Sequence, residues 1–138
     1  MPGDAGSTRY VLPEPFDRAV ESVSRSLMNR ELRVVGQLDV SRHVERTLGV
    51  ALPPCRIVFV LPEPSVLSAA HIHPWTAIFL PLHIVISGNG AMTEILVQNR
   101  VHPGPEEDAS ALAAPVLETQ AQIREAMEAI AMRPSLVA

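Results

Sequence analysis

A histidine and a glutamate fall on one face of the long strand and hairpin predicted for residues 76–99. The sequence Gly88-Asn89-Gly90 predicts a tight turn, because Asn-Gly suits the positive φ angles of a type I′ turn. A turn at Asn89-Gly90 places Glu94 diagonally across from His83, and a turn at Gly88-Asn89 places them directly opposite. A carboxylate beside an imidazole favours the protonated ring and can orient it for acid–base catalysis. His83 and Glu94 are therefore the candidate catalytic pair, and the alternative is a structural cross-strand pair at a polar edge.

A second group of candidate ligands is His71-x-His73. Residues two apart on extended backbone point to the same side, so both imidazoles could bind one metal ion. Pro74 biases His73 toward that extended conformation. His83 becomes a third ligand if the segment folds over the sheet. The sequence thus offers a site for a divalent metal at His71, His73 and His83, and the alternative is a surface or interface role for these histidines.

The predicted long strand has two apolar faces. Ile78, Leu80, Leu82, Ile84 and Ile86 share the face expected to form the core, whereas His83 lies among apolar residues on the other, outer face. Ligand sites combine an apolar concavity with a few polar groups. We therefore place a candidate small-molecule site on the outer face, lined by Phe79, His83, Glu94 and Leu96, with Trp75 at its rim. The alternatives are a subunit interface on this face and, for Trp75, a loop residue that covers the edge of the core.

The elements that position these residues follow from hydrophobic periodicity. In the first half of the chain we predict a strand over 8–12, a helix over about 15–31, a strand over 32–40 and a short helix over 41–48. A strand over 56–61, a short helix over about 64–70, strands over 76–87 and 91–99, and a helix over about 115–132 follow. A stripe of Phe16, Val20, Val23 and Leu27 marks the first helix, and Val116, Ile123, Met127 and Ile130 mark the last.

Local signals refine this pattern. In the second strand, Leu32, Val34, Leu38 and Val40 are expected on one face and Arg33, Gln37 and Asp39 on the other. Ser41 is the expected N-cap of the following helix, and Gly49 its C-terminal stop.

These elements predict an α+β fold, a two-layer sandwich in which helices pack on one face of a largely antiparallel sheet. We expect a disordered N-terminal tail over 1–7 and a single domain over 8–138. Because no further element is predicted to cover the outer face of the sheet, we expect a homodimer.

Composition narrows the class of protein. The chain has 138 residues, is 47% apolar and carries a net charge of −4. This acidic balance argues against binding to nucleic-acid phosphates, and no apolar run is long enough for a membrane helix. The start of the chain lacks the features of a signal peptide, so we expect a cytoplasmic protein. Lysine is absent, which excludes lysine Schiff-base chemistry, and the one cysteine, Cys55, is expected to be a buried and inert thiol.

Several short motifs occur in a recognisable order. These are Pro15-Phe16-Asp17-Arg18-Ala19-Val20, Gly36 with Asp39-Val40, Leu48-Gly49, Pro54-x-x-Ile57, Pro62-Glu63-Pro64 and Leu80-Pro81. Their order and spacing, from Thr8 to Met132, resemble the domain-of-unknown-function 302 family of small bacterial and archaeal proteins. The resemblance implies a compact α+β fold, commonly a homodimer, with no established activity. The family typically has a cysteine directly after the Leu-Pro, where this chain has Leu82.

Two functions follow as hypotheses. The first is a homodimeric small-ligand-binding or interaction module without enzymatic activity. The second is an enzyme or metal-dependent protein that uses a His83/Glu94 site on the outer face of the sheet.

Overall fold

The computed structural model describes residues 6–62, 81–98, 109–132 and 135–137. The elements are β1 (Ser7–Leu12), α1 (Phe16–Asn29), β2 (Leu32–Asp39), α2 (Val40–Leu48), β3 (Cys55–Pro62), β4 (Leu82–Asn89), β5 (Met92–Gln98), α3 (Ala109–Glu128) and β6 (Ser135–Val137). The predicted helix over 64–70 and the predicted strand residues 76–80 lie outside the described residues. No helix in the described ranges is both long and apolar enough to cross a membrane.

The six strands form one antiparallel sheet in the order β2-β3-β4-β5-β1-β6. Side chains alternate between the two faces of each strand, and one face is largely apolar. In β4 and β5 the apolar side chains of this core face are Leu82, Ile84, Ile86, Ile95 and Val97, all of them buried. Helices α1 and α3 pack against it. The predicted α+β fold with helices on an antiparallel sheet is confirmed.

Helix α1 follows the predicted apolar stripe. Val20, Val23 and Leu27 are buried in the core, and Phe16 packs partly buried against it. Gly88 of β4 allows this approach, because a Cβ atom at residue 88 would lie 3.2 Å from Cβ of Phe16. The glycine in β4 thus lets the first turn of α1 lie close to the sheet.

Helix α3 begins earlier than predicted. It starts at Ala109 and continues through Pro115, which we had expected to open the helix. The fixed φ of proline suits a helix, but an interior proline loses one backbone hydrogen bond and its ring crowds the carbonyl four residues earlier, at a cost of about 3 kcal/mol. The alanine-rich segment before Pro115 favours helix strongly enough to extend it in the N-terminal direction. The predicted core stripe is confirmed at Val116, Ile123 and Met127, which are buried.

A β-bulge in β2 overturns the prediction of one continuous apolar face. Val34 pairs with Val60, but the next partner of β3, Phe59, pairs with Gly36. The extra residue, Val35, reverses the alternation, because each side chain beyond it faces the side opposite to the one expected. Leu38 therefore shares the outer face with Ile57, its partner on β3, while Leu32 faces the core.

The cap of α2 also differs from the prediction. The N-cap is Asp39, whose Oδ1 accepts a hydrogen bond from Arg42 N at 2.9 Å. Ser41 lies inside the helix and its Oγ donates to the same Asp39 oxygen at 2.8 Å. A carboxylate that accepts two hydrogen bonds is the better cap, and these bonds lower the pKa of Asp39. Gly49 ends the helix in the left-handed conformation, as predicted.

The hairpin between β4 and β5 is confirmed, but its turn is displaced. Asn89 pairs with Met92, so the two turn residues are Gly90 and Ala91. Of these two only Gly90 has a positive φ, at 65°. Glycine at the first turn position suits a type II′ turn, which fits the strand twist as well as the predicted type I′ turn does.

A buried hydrogen bond ties the two core helices together. Ser26 Oγ of α1 donates to the carbonyl oxygen of Ala126 in α3 at 2.7 Å. That carbonyl lies at the end of α3, where the amide of Ile130 donates to Met127 O instead. The serine thus supplies the donor that the helix end lacks.

We predict that Ser26→Ala lowers the free energy of unfolding by about 1–3 kcal/mol, because it leaves a buried carbonyl without its donor. Urea unfolding measures the change. Ser24→Ala is the matched control, since Ser24 is a half-buried serine of the same helix, and we expect a change below about 0.5 kcal/mol. Equal losses in the two variants would contradict the role assigned to Ser26.

Substitutions at two residues that follow helices should change the free energy of unfolding in opposite directions. Gly49 has φ at 69° and Glu31 has φ at 61°. Gly49→Ala should lower the free energy of unfolding by about 1 kcal/mol, because a Cβ is strained in this conformation. Glu31→Gly should raise it by about 0.5–1 kcal/mol by removing that strain. Thermal unfolding of both variants tests this, and shifts of the same sign would refute it.

Candidate functional site

The candidate site lies on the outer face of the sheet, opposite α1 and α3. Strand register arranges its side chains in three rows that run across the strands. The first row is Cys55, Ser87, Glu94 and Val11; the second is Leu38, Ile57, Val85, Leu96 and Arg9; the third begins with Gly36, Phe59 and His83. The first row is largely polar, and we call it the polar row. Four of the five residues in the second row are apolar.

The structure does not bring His83 and Glu94 together. Both lie on the outer face, but Glu94 pairs with Ser87, which is four residues from His83 along β4. At about 3.3 Å per residue the two positions are about 13 Å apart. The predicted adjacency is wrong because the displaced turn shifts the register of β5 relative to β4. The two side chains therefore do not form a catalytic pair within one subunit.

Glu94 has a different partner. Arg9 Nη1 of β1 lies 3.4 Å from Glu94 Oε1. Both side chains are more than a third exposed to solvent, so water screens the pair and it contributes little to stability. Its role is to neutralise charge at one side of the outer face.

The remaining predicted site residues divide into two groups. Leu96 is half-buried on the outer face beside Val85, and His83 is exposed opposite Phe59. Phe79, Trp75, His71 and His73 lie outside the described residues, so the ligand rim and the histidine metal site stay predictions. Within the described ranges no three His, Cys, Asp or Glu residues are grouped to hold a metal ion.

Cys55 lies at the start of β3, half-buried in the polar row. Its backbone amide donates to Ser41 Oγ at 3.2 Å. Burial, reinforced by the negative charge of Asp39, raises the pKa of the thiol. Arg56 points to the other face of the sheet, where its guanidinium lies 5.3 Å from the centre of the Phe16 ring. Because both influences oppose ionisation, Cys55 is a protonated and weakly nucleophilic thiol at neutral pH.

The most extensive feature of the outer face is a stripe of apolar side chains, Leu38, Ile57, Val85 and Leu96, that crosses β2 to β5. Leu38 is 45% exposed, and the other three are half-buried. Leu96 was expected on this face, whereas Leu38 was expected on the core face, because the bulge in β2 has no clear sequence signal apart from Gly36. We call these four residues the apolar stripe.

A separate groove of about 580 Å³ runs between α1 and β2, at the open edge of the sheet. It is lined by Ser24, Met28, Glu31, Leu32, Arg33, Val34, Val35 and Gln37. Met28 is 69% exposed and Val35 51% exposed, so the groove is a shallow apolar surface. His83, Glu94 and Leu96 do not line it.

A family model described as "Domain of unknown function DUF302" matches residues 8–130. The chain belongs to the DUF302 family. Its sheet and helices also superpose on the crystal structure of the uncharacterised conserved protein DUF302 from Bacillus stearothermophilus, with a TM-score of 0.61 at 20% sequence identity. The match covers 88% of this chain and 94% of that one. No curated protein sequence matches the chain. Membership of DUF302 confirms the predicted resemblance, and the structural match supports the fold alone.

We predict that Asp39→Asn lowers the pKa of Cys55, because it removes one of the two causes that raise it. The amide of asparagine still caps α2, so the helix should be kept. The pH profile of thiol alkylation gives the pKa from its midpoint, and the rate at about pH 8 should increase as the thiolate fraction rises. Glu94→Gln, a charge change elsewhere in the polar row, should leave the profile unchanged. A midpoint that stays fixed in Asp39→Asn would refute the prediction.

Proposed function

We propose that this DUF302 protein is a homodimeric interaction module in which two copies pack their outer sheet faces together. The observation that supports the proposal is the apolar stripe, which crosses four neighbouring strands on the face opposite the core helices. Apolar surface that is contiguous across strands is typical of an interface, whereas scattered apolar residues are normal on any protein surface. A two-fold axis through the stripe would place it against itself, as an isologous interface requires.

The charges of the outer face fit this arrangement. Arg9 and Glu94 neutralise each other at one side, so packing two stripes together buries no net charge from this pair. His83 lies at the other side of the stripe, exposed to solvent. Polar groups that surround an apolar centre are the usual anatomy of a protein interface.

The size of the face sets the expected affinity. Strands β2 to β5 and β1 span about 24 Å at 4.8 Å per strand, and six residues span about 20 Å. The corresponding plan area is about 480 Å² per subunit, or about 960 Å² for the two subunits, which falls in the range of weak interfaces, below about 1,200 Å² in total. We therefore expect a dimer that dissociates in the micromolar range rather than an obligate one.

The same surface is where a small ligand would bind. We propose that any such ligand contacts Leu96 and His83 at the margin of the stripe, next to Phe59. This position keeps the apolar floor and the one polar group of the predicted site, without Glu94.

The single neutral thiol accords with our expectation of a reducing, cytoplasmic environment.

Charged substitutions in the stripe test the interface. We expect Val85→Glu and Leu96→Glu to convert the dimer to a monomer across the micromolar range, because a buried unpaired carboxylate opposes association. Light scattering after size-exclusion chromatography, at several protein concentrations, measures the mass. Leu117→Glu is the matched control, since Leu117 is a 40% exposed leucine on α3, which packs on the opposite face.

Two results would overturn the proposal. One is a wild-type protein that is monomeric at all concentrations tested. The other is a dimer whose dissociation constant is the same in folded Val85→Glu or Leu96→Glu as in Leu117→Glu. Circular dichroism of each variant establishes that it is folded.

A further inference from the structure

Helix α2 is held to the protein differently from the two core helices. Helices α1 and α3 both have residues buried in the core, whereas none of the nine residues of α2 is buried. Its apolar residues are half-buried Val40 and Val44 and 70% exposed Leu48. The loop that follows, residues 49–54, is exposed at every position. We call the helix and this loop, residues 40–54, the α2 segment.

Hydrogen bonds connect the two ends of the α2 segment to the sheet. At the first end, Ser41 Oγ accepts from Cys55 N at 3.2 Å and donates to Asp39 Oδ1 at 2.8 Å. Asp39 is also the N-cap of the helix. At the second end, Gly88 N of β4 donates to Pro54 O at 2.8 Å. Polar contacts and half-buried side chains therefore join the segment to the sheet, and no side chain of the segment is buried.

This pattern of burial sets a low free energy for opening the segment. A helix of nine residues is marginal in water on its own, and most helices in proteins are stabilised by tertiary packing. Parts of a structure with few buried apolar contacts open at free energies well below that of global unfolding. Strand β4 is the opposite case, because Ile84 and Ile86 are fully buried and become exposed only when the core is lost.

We propose that the α2 segment opens from the end of the sheet as a unit of its own, while the sheet, α1 and α3 stay folded. In the open form α2 is unwound and the amide of Cys55 has lost its acceptor, Ser41. The end of the sheet beside Cys55 thus has a closed and an open state, and a partner that binds only one of them shifts the balance toward that state. The proposal is independent of the proposed dimer, because no residue of the segment belongs to the apolar stripe.

Amide hydrogen exchange of the native protein measures the opening constant at each residue. We expect the constants for residues 44–48 of α2 to exceed those for Ile84 and Ile86 at least about a hundredfold. Low concentrations of urea should increase the β4 constants and leave those of α2 nearly unchanged, because the urea dependence follows the surface that opening exposes. Equal constants with equal urea dependence would overturn the proposal. So would exchange of the α2 amides at the rate of an unfolded chain, since the closed state would then be absent.

Ser26→Ala separates local opening from global unfolding. The hydrogen bond between Ser26 and Ala126 joins α1 to α3 and stays intact when only the α2 segment opens. The substitution should therefore raise the exchange of the β4 amides by the same factor as the global unfolding constant, and leave the α2 amides unchanged. A rise by that factor in the α2 amides as well would mean that α2 opens only with the whole protein, and would overturn the proposal.

Substitution of the cap tests what holds the segment closed. Asp39→Ala removes the acceptor of two hydrogen bonds and should raise the opening constants of the α2 amides roughly fivefold, the usual effect of losing an N-cap. Asp39→Asn is the matched control, because asparagine also caps helices, and its effect should be less than about twofold. Opening constants in Asp39→Ala that equal those of the wild type would overturn the proposal.

Discussion

Burial of one face of the sheet under α1 and α3 is the constraint on which the rest of the structure depends. Ile84, Ile86 and Ile95 are fully buried there. Burial of each of these aliphatic side chains stabilises the fold by roughly 1.5–3 kcal/mol. This burial fixes the register of β4 and β5, because a shift by one residue would turn every core side chain toward solvent. The same register determines which residues of β4 and β5 lie on the outer face. Its residues are the ones that alternate with the core, and one row of them, the apolar stripe, is apolar over four strands.

The polar groups inside the core follow from the same packing. Ser26 lies where α1 crosses the end of α3 and supplies a donor to a helix carbonyl that has lost its usual partner. Thr93 does the same for the carbonyl of Glu14 between β1 and α1. Tyr10 is different, since its hydroxyl is buried at the polar side of α3 rather than at a helix end or a chain reversal. Two of these three residues satisfy the backbone, and the third faces other side chains.

Hydrophobic periodicity predicted helices α1, α2 and α3, the antiparallel sheet and most of the core, because these depend on local patterns that repeat over many residues. The start of α3 and the N-cap of α2 were predicted wrongly, and the errors at the candidate site arose where one residue changes a register. Val35 adds a residue to β2 and moves Leu38 to the outer face, and a turn at Gly90-Ala91 moves Glu94 away from His83. The position of the bulge and the position of the turn both depend on which pairing of the whole strands is the more stable. No short sequence motif predicts that. The face on which His83, Glu94 and Leu96 lie could therefore be predicted, but their neighbours across the strands could not.

The bulge in β2 also bears on how the protein avoids aggregation. Within residues 6–62, 81–98, 109–132 and 135–137, β2 is one edge of the sheet, and β6, the other edge, has three residues. A flat edge strand offers unpaired backbone groups to any extended chain, and bulges and very short edge strands are two ways in which natural sheets prevent such pairing. Both edges of this sheet are therefore poor templates for adding strands. A protein of this design can expose a broad apolar face with less risk that its sheet grows into fibrils.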